Sequence, residues 1–294
     1  MYKIGIDLGG TKIEGIILDN SNEEYFRYRE KIDQNSDYSA MLHHLQSIYH
    51  RLVKEINNAP HSLGIGTPGS ISPKKGLLRF CNIVVMNGQP LLKDLQSSLQ
   101  RKLTIENDAN CFILAEQQLG AAKGKASAFG IIIGTGCGGG YVVNNKLVSG
   151  ANKIAGEWGH SVININGAQC YCGRKGCVEQ YLGGRSLQRA YEDLSGINIG
   201  AEKIIELYRE KQEHANIAIE KYLDYFGIAL ANLVTTIDPD VIVVGGGLSN
   251  IAEIYTDGLS RVKAQFSDDE IKPKIVKNTL GDSSGVIGAA LLGV

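Results

Sequence analysis

Nothing in this sequence ties it to a membrane or to nucleic acid. No uninterrupted apolar run approaches the ~18 residues of a membrane span; the richest, Val241–Val244 and Ile131–Ile133, are strand length. Charge of neither sign is in excess. The 30 Lys and Arg against 31 Asp and Glu give a net charge of −1, with no basic footprint for nucleic acid or an anionic membrane surface. A basic leader with a cleavage site is also missing, because Met1 runs straight into an apolar strand containing Asp7, so a cytoplasmic protein is expected. No low-complexity linker interrupts the chain, and no G-x-x-x-x-G-K-[ST] run marks a P-loop. With 294 residues, 43% hydrophobic and 21% charged, the expectation is a soluble α/β protein of one large or two modest domains.

Cysteine is scarce and unevenly placed. Cys81, Cys111 and Cys137 are scattered and read as small buried residues, whereas Cys170, Cys172 and Cys177 crowd into one segment with His160. From Glu157 to Glu179 the chain reads E-W-G-H, nine residues, then C-Y-C-G-R-K-G-C-V-E. One imidazole and three thiolates are the donor set of a closed tetrahedral zinc site. Gly173 and Gly176 stand where a chain folding back around a metal needs positive φ. The competing reading is a disulfide with a spare thiol, and the odd thiol count argues against it. A closed site organises a loop and does no chemistry. That loop would carry Glu157 and Glu179, whose carboxylates suit the hydroxyl donors of a sugar. Trp158, the single tryptophan, reads as a packing residue beside Glu157.

Glycine-rich turns recur between apolar strands. Tyr2 to Lys12 is a strand running into a Gly9-Gly10 turn, and Ile13–Leu18 returns as the second strand of a hairpin. Glycines at such a turn can take positive φ and aim N–H groups at an anion, with Thr11 and Lys12 adding a hydroxyl and a cation. Asp7 is placed to hold hydrated Mg²⁺. An ordinary hairpin with an incidental Asp explains that motif equally well. Phe129–Asn145 repeats the design with G-T-G-C-G-G-G at 134–140, suggesting a duplicated unit with phosphate caught between two backbone hairpins. A third run, Gly245-Gly246-Gly247, follows a strand and is expected to open onto a helix where a base or ribose approaches the backbone.

Apolar residues at helical spacing predict a helix over 38–56, on which His43, His44 and His50 read as surface residues. Leu103–Glu106 predicts a strand running into Asn107-Asp108-Ala109-Asn110 and then an apolar helix over 111–119. Asp108 stands at a strand end and a helix start, where ligands collect in α/β proteins, and where an Asp serves equally as an N-cap. Long helices are expected over 216–236, before Asp238-Pro239, and a small apolar one closes the chain.

Six motifs together carry a resemblance: D-L-G-G-T-K at 7–12, G-T-P-G at 66–69, E-N-D-A-N at 106–110, G-T-G-C-G-G-G at 134–140, E-W-G-H at 157–160 and C-x-C-G-x-x-G-C-x-E at 170–179. Over essentially its full length the chain resembles the ROK (repressor, open reading frame, kinase) family of sugar kinases. The resemblance implies the α/β actin-like ATPase (ribonuclease H-like) fold, with two lobes and a cleft. The expected small lobe is 1–118 with 281–294 packing back on it, and the expected large lobe is 119–280, containing the zinc loop. Within the family, G-T-P-G-S-I-S-P (66–73) and N-G-Q-P (87–90) resemble bacterial fructokinases and manno(fructo)kinases. N-acetylglucosamine kinase and glucokinase are the alternatives there, and a non-catalytic sugar-responsive regulator is the alternative of another class.

The implied reaction is phosphorylation of the 6-hydroxyl of fructose or mannose by ATP, with Asp108 as general base. Gly69, Asn82, Asn107, Asp108, Gly138, Glu157, His160 and Glu179 match the family's sugar positions. ATP and Mg²⁺ are assigned to Gly5, Ile6, Asp7, Leu8, Gly9, Gly10, Thr11 and Lys12. Gly134, Thr135, Gly136 and Cys137 take the other side, and Gly245, Gly246 and Gly247 the adenosine end. Zn²⁺ is assigned to His160, Cys170, Cys172 and Cys177, and Mg²⁺ to Asp7. His160 is expected to place one ring nitrogen on zinc and offer the other to a sugar hydroxyl. A homodimer is expected, without nucleic-acid or membrane partners.

Overall fold

The computed structural model describes residues 1–33 and 35–293, and the chain folds as two compact units. The first comprises Met1–Gly120, Asn145–Ala155 and Leu280–Val294; the second comprises Ala121–Asn144 and Gly156–Thr279. Val294, the end of the expected 281–294 segment, lies outside the described residues. No helix among the described residues is long and apolar enough to cross a membrane.

In the first unit β1 (Tyr2–Leu8) pairs antiparallel with β2 (Lys12–Leu18), which pairs antiparallel with β3 (Glu24–Lys31). On its other edge β1 pairs in parallel with β4 (His61–Thr67). A short hairpin, β5 (Ser70–Ile71) with β6 (Leu78–Arg79), follows, and β7 (Thr104–Asn107) completes the sheet order β3-β2-β1-β4-β7. Alternation in β1 explains how both faces are covered. Ile4, Ile6 and Leu8 are fully buried in the cluster that includes Met41, Leu45, Ile48 and Leu52 of α1 (Tyr38–Glu55). Asp37 caps that helix by accepting from Ala40 N–H at 2.8 Å, a contribution of about 1 kcal/mol. The opposite face of β1 carries Gly5, and there α9 (Ser284–Leu292) lies so close that a Cβ would collide with the backbone of Val286 and Ala290. Gly288 allows the same intimacy with α3 (Asp108–Gln118) at the Cys111 carbonyl. The small, apolar composition of the last helix therefore reflects backbone-to-backbone packing on both the sheet and α3. Helix α2 (Leu91–Leu99) closes the other side through Leu91 and Leu95.

The segment 145–155 differs from the expected boundaries: it belongs with the first unit. Its attachments are side-chain pairings that no local pattern reveals. Ser149 donates to Glu106 at 2.7 Å, Lys153 lies 3.8 Å from the same carboxylate, and Arg79 donates to the Asn152 carbonyl.

In the second unit β8 (Ser127–Ile133) and β9 (Cys137–Val143) form the second glycine hairpin. Strand β11 (Ile242–Gly245) pairs in parallel with β8 and with β12 (Ile275–Lys277), the two-residue strand β10 (Lys146–Leu147) having preceded them in the chain. Around this sheet pack α4 (Glu179–Leu182), α5 (Gly184–Ser195), α6 (Ala201–Arg209) and the 25-residue α7 (Glu213–Ile237). The core is centred on Leu223, Phe226 and Leu230 of α7 with Ile131, Ile133 and Val244 of the sheet. Beyond Gly247 the chain does not enter the expected helix directly. It makes two 3₁₀ turns, Gly247–Asn250 and Ala252–Tyr255, before α8 (Asp257–Lys263), because buried Ile251 is extended (φ −76°, ψ 107°) and breaks the helical path.

Candidate active site

The first unit gathers acidic groups around the end of β1. Asp7 faces Glu14 across the β1–β2 pair, and Glu14, 2% exposed, is held by Arg27 at 3.0 Å and Arg29 at 2.7 Å. Asp7 Oδ1 is buried and has no hydrogen-bond partner. Burial, then the negative charges of Asp108 and Glu14, push the Asp7 pKa up to about 7, against the pull of Lys12 and Arg29. A Cβ on Gly66 would come within 3.0 Å of Oδ1, and one on Gly285 within 3.1 Å of Oδ2. An orphaned buried carboxylate with glycine-lined clearance fits a hydrated divalent cation. Ile6 and Leu8 commit their side chains to the core and Gly5 faces α9, so the polar groups at this turn are those of Asp7 and of residues 9–12. Gly9 and Gly10 are not left-handed, contrary to the expectation; they give clearance instead. A Cβ on Gly9 would sit 3.1 Å from the Lys12 carbonyl, to which its own N–H donates, and Gly10 faces open space.

Asp108 is the first residue of α3, and the cap in front of it is Asn107, whose side chain accepts from Ala109 N–H at 2.9 Å. Asp108 Oδ1 also accepts from that N–H, at 2.8 Å. Burial raises the Asp108 pKa, opposed by hydrogen bonds from Ala109 and Asn107. Because Asn107 already serves as cap, the cap role does not by itself account for the aspartate. Asn107 Nδ2 donates to the Gly69 carbonyl at 3.2 Å, and left-handed Gly69 (φ 81°) packs against the backbone of residues 79–81. Asn82 follows that segment and is exposed.

In the second unit His160, Cys170, Cys172 and Cys177 converge, with all donor atoms within 4.8 Å of one another. His160 Nδ1 is 3.6 Å from Cys170 Sγ, and Cys172 Sγ is 3.6 Å from Cys177 Sγ. Corners of a tetrahedron with Zn–S bonds near 2.3 Å lie about 3.7 Å apart, so the cage fits zinc. The thiols are unbridged. Gly173 (φ 91°) and Gly176 (φ 67°) are left-handed as the spacing predicts, and Gly176 abuts the Asn164 carbonyl where no Cβ would fit. Desolvation lowers the His160 pKa and favours the neutral, ligating imidazole. Its Nε2, expected to meet a sugar hydroxyl, lies 3.0 Å from Tyr171 OH instead.

The same loop supports the second glycine turn. Glu179 accepts the Cys137 N–H at 3.1 Å, and a Cβ on Gly136 would collide with that carboxylate. The Cys137 N–H is therefore not directed at an anion. Gly134 donates to the Gly136 carbonyl at 3.0 Å and accepts from Gly184 N–H at 2.8 Å, leaving Thr135 at the exposed apex. Left-handed Gly246 (φ 83°) stacks on Ile133, which brings residues 245–247 beside Gly134. The turn Trp158–His160 is anchored by Trp158 Nε1 donating to the Ala229 carbonyl at 3.4 Å, and Gly159 packs on the Cys137 carbonyl. Glu157, directly before that turn, is half-buried, as is Gly138 on β9.

Comparison with known proteins places this architecture. Residues 3–293 match the ROK family as a whole. The chain belongs to the ROK family. It is 38% identical over 298 residues to an N-acetyl-D-glucosamine kinase of Pectobacterium atrosepticum, covering 98% of this chain and 97% of that protein. A second N-acetyl-D-glucosamine kinase, from Histophilus somni, is 36% identical over 301 residues, with 98% and 97% covered. Among solved structures, a ROK hexokinase from Thermus thermophilus superposes with a TM-score of 0.89 at 29% identity, covering 100% of this chain and 98% of that one. A ROK glucokinase from Streptomyces griseus in complex with glucose and AMPPNP gives 0.81 at 26% identity, covering 100% and 99%. The fold is the actin-like ATPase fold. The two N-acetyl-D-glucosamine kinases bear the name of a different sugar from the fructose or mannose expected from residues 66–73 and 87–90. The second of those stretches has a structural role: Asn87 accepts from Cys81 N–H at 2.9 Å and donates to the Cys81 carbonyl at 2.8 Å, so it holds a loop.

Several residues escaped the sequence reading. A lone Glu14 inside the apolar I-E-G-I-I-L strand was the available signal for the buried charge cluster. Gly66 lies in the G-T-P-G motif and Tyr171 between Cys170 and Cys172, but neither was given a role, and Gly285 beside Asp7 carried no signal.

Proposed function

We propose that this ROK sugar kinase transfers the γ-phosphoryl group of ATP to N-acetyl-D-glucosamine, at the 6-hydroxyl that the family resemblance implies. The observation that carries the chemistry is Asp108: a half-buried carboxylate with a raised pKa at the start of α3, on the same unit as Asp7 with its unpartnered Oδ1. The sugar is supported by full-length likeness to kinases named for it. Asp108 accepts the proton of the sugar hydroxyl as that oxygen bonds to the γ-phosphorus and the bond to the ADP oxygen breaks. Asn107 orients Asp108 by hydrogen bonding. Asn82, Asn107 and the Gly69 backbone bind sugar hydroxyls, and the family resemblance assigns Gly138, Glu157, His160 and Glu179 to the same task. Asp7 holds Mg²⁺, which neutralises phosphate charge when bound. The amides of Gly10, Thr11, Thr135 and Gly136 bind phosphates, and residues 245–247 the adenosine end. Zinc on His160, Cys170, Cys172 and Cys177 supplies a fixed loop geometry.

The test is ADP release, coupled to a reporter enzyme, with N-acetylglucosamine, glucose, fructose and mannose in parallel. N-acetylglucosamine is expected to give the highest kcat/KM. A higher value for fructose or mannose returns the reading to the fructokinase branch, and no release with any sugar favours the regulator.

A further inference from the structure

The geometry points to Phe80 as the residue that selects the acetamido group of the sugar, its ring receiving the acetyl methyl. This inference rests on the N-acetylglucosamine reading and adds a residue to it. Phe80 adopts φ 59°, inside the left-handed region. The other non-glycine residues there are Asn, Asp, Gln or Lys, so Phe80 is the only aromatic side chain among the described residues held in that conformation. A bulky residue with positive φ is strained, and such strain persists where the surroundings impose it, characteristically at ligand sites. Here both sides impose it. Gly69 is pressed against the Arg79 carbonyl and the backbone of Phe80 and Cys81, while the Asn87 side chain clamps the N–H and carbonyl of Cys81. The strain is not offset by burial, since Phe80 is 63% exposed.

The loop that carries this ring is tied to the chemistry within the first unit. Gly69 is tied to Asn107, the neighbour of Asp108, and Asn82 is two residues beyond Phe80. The Cys81 thiol, pushed up to about 11 mainly by burial, also feels the negative charge of Asp108. Arg79 stands 5.0 Å from the ring centroid and donates to the Asn152 carbonyl, which steadies the ring from one side. On the same loop Asn82, and beyond Gly69 the Asn107 amide, suit hydroxyls and give nothing to a methyl. N-acetylglucosamine differs from glucose by an acetamido group in place of the 2-hydroxyl, and its methyl is the one apolar addition. An exposed aromatic ring on that loop offers apolar surface that the acetyl methyl covers and the 2-hydroxyl of glucose does not.

The experiment uses Phe80→Gly, which removes the ring and relaxes the backbone, and Phe80→Asn, which tolerates the left-handed conformation without apolar surface. Steady-state constants are measured with N-acetylglucosamine, glucose and ATP, alongside thermal midpoints. In both variants kcat/KM for N-acetylglucosamine should fall about tenfold or more, the scale of one lost apolar contact, while glucose and ATP constants hold. The midpoint of Phe80→Gly should not drop. An unchanged ratio of N-acetylglucosamine to glucose, or an equal loss for both sugars, overturns the assignment with the sugar reading intact. A wild-type protein inactive on N-acetylglucosamine overturns both.

Discussion

The β1–β2 hairpin of the first unit and the β8–β9 hairpin of the second share a plan. Each is an antiparallel pair joined by a glycine turn, and each first strand pairs in parallel with a later one, β4 or β11. In each the first glycine of the turn, Gly9 or Gly134, donates within the turn itself. What surrounds them differs. The first turn is flanked by charge: Asp7, Lys12, and Glu14 held by two arginines. The second carries no charged residue in its turn and is propped from behind by Glu179 and the Gly184 N–H. On the proposed function, the first hairpin supplies the carboxylate for a metal, and the second a backbone turn braced by Glu179 of the Cys/His loop.

Changes on the charged side should strike turnover, and changes on the braced side should strike binding and stability. The largest effect is expected from Asp108→Ala, with kcat falling about 10²–10⁴-fold while calorimetric affinities for sugar and ATP persist. Near-normal turnover would leave Asp108 a structural residue. The wild-type pH profile sharpens the same point. Protonated Asp108 cannot accept a proton, so kcat/KM should fall as pH drops through a pKa that burial holds above the ordinary carboxylate value near 4. An acid limb at or below that value contradicts the raised pKa.

On the braced side, chelation of the Cys/His metal should raise the KM for sugar by about tenfold or more and that for ATP by less. Equal loss of both would indicate unfolding. Gly136→Ala forces its Cβ onto Glu179 and should cost about 1–3 kcal/mol of stability, read by denaturant titration. Gly10→Ala, facing open space on the charged hairpin, should leave stability unchanged. Similar costs for the two glycines would erase the distinction between the hairpins. The smallest effect is expected for Tyr171→Phe, which removes the hydroxyl on His160 Nε2. Sugar affinity should improve by about 1 kcal/mol or less, with metal content unchanged. Weaker sugar binding would make Tyr171 a ligand instead of a competitor.

The fold was legible wherever one local pattern determined one element. The hairpins were visible as apolar strands around glycine, α1 as a 3.6-residue repeat, and the Cys/His cage as spacing with two left-handed glycines. Pairings between distant residues were not legible. The attachment of 145–155 depends on Glu106 and Arg79, and the prop beneath the second turn on Glu179 reaching the Cys137 N–H. The handedness of Gly9 and Gly10 was misjudged because clearance and positive φ call for the same residue. Residues 66–73 and 87–90 were read as marks of the sugar, whereas Asn87 answers to the loop it closes.

The most direct test follows both products in one reaction. Purified protein with ATP, Mg²⁺ and N-acetylglucosamine should yield ADP and phosphorylated sugar in equal amounts, at a rate that collapses in Asp108→Ala. ADP without phosphosugar, or equal rates for the wild type and Asp108→Ala, would contradict the account.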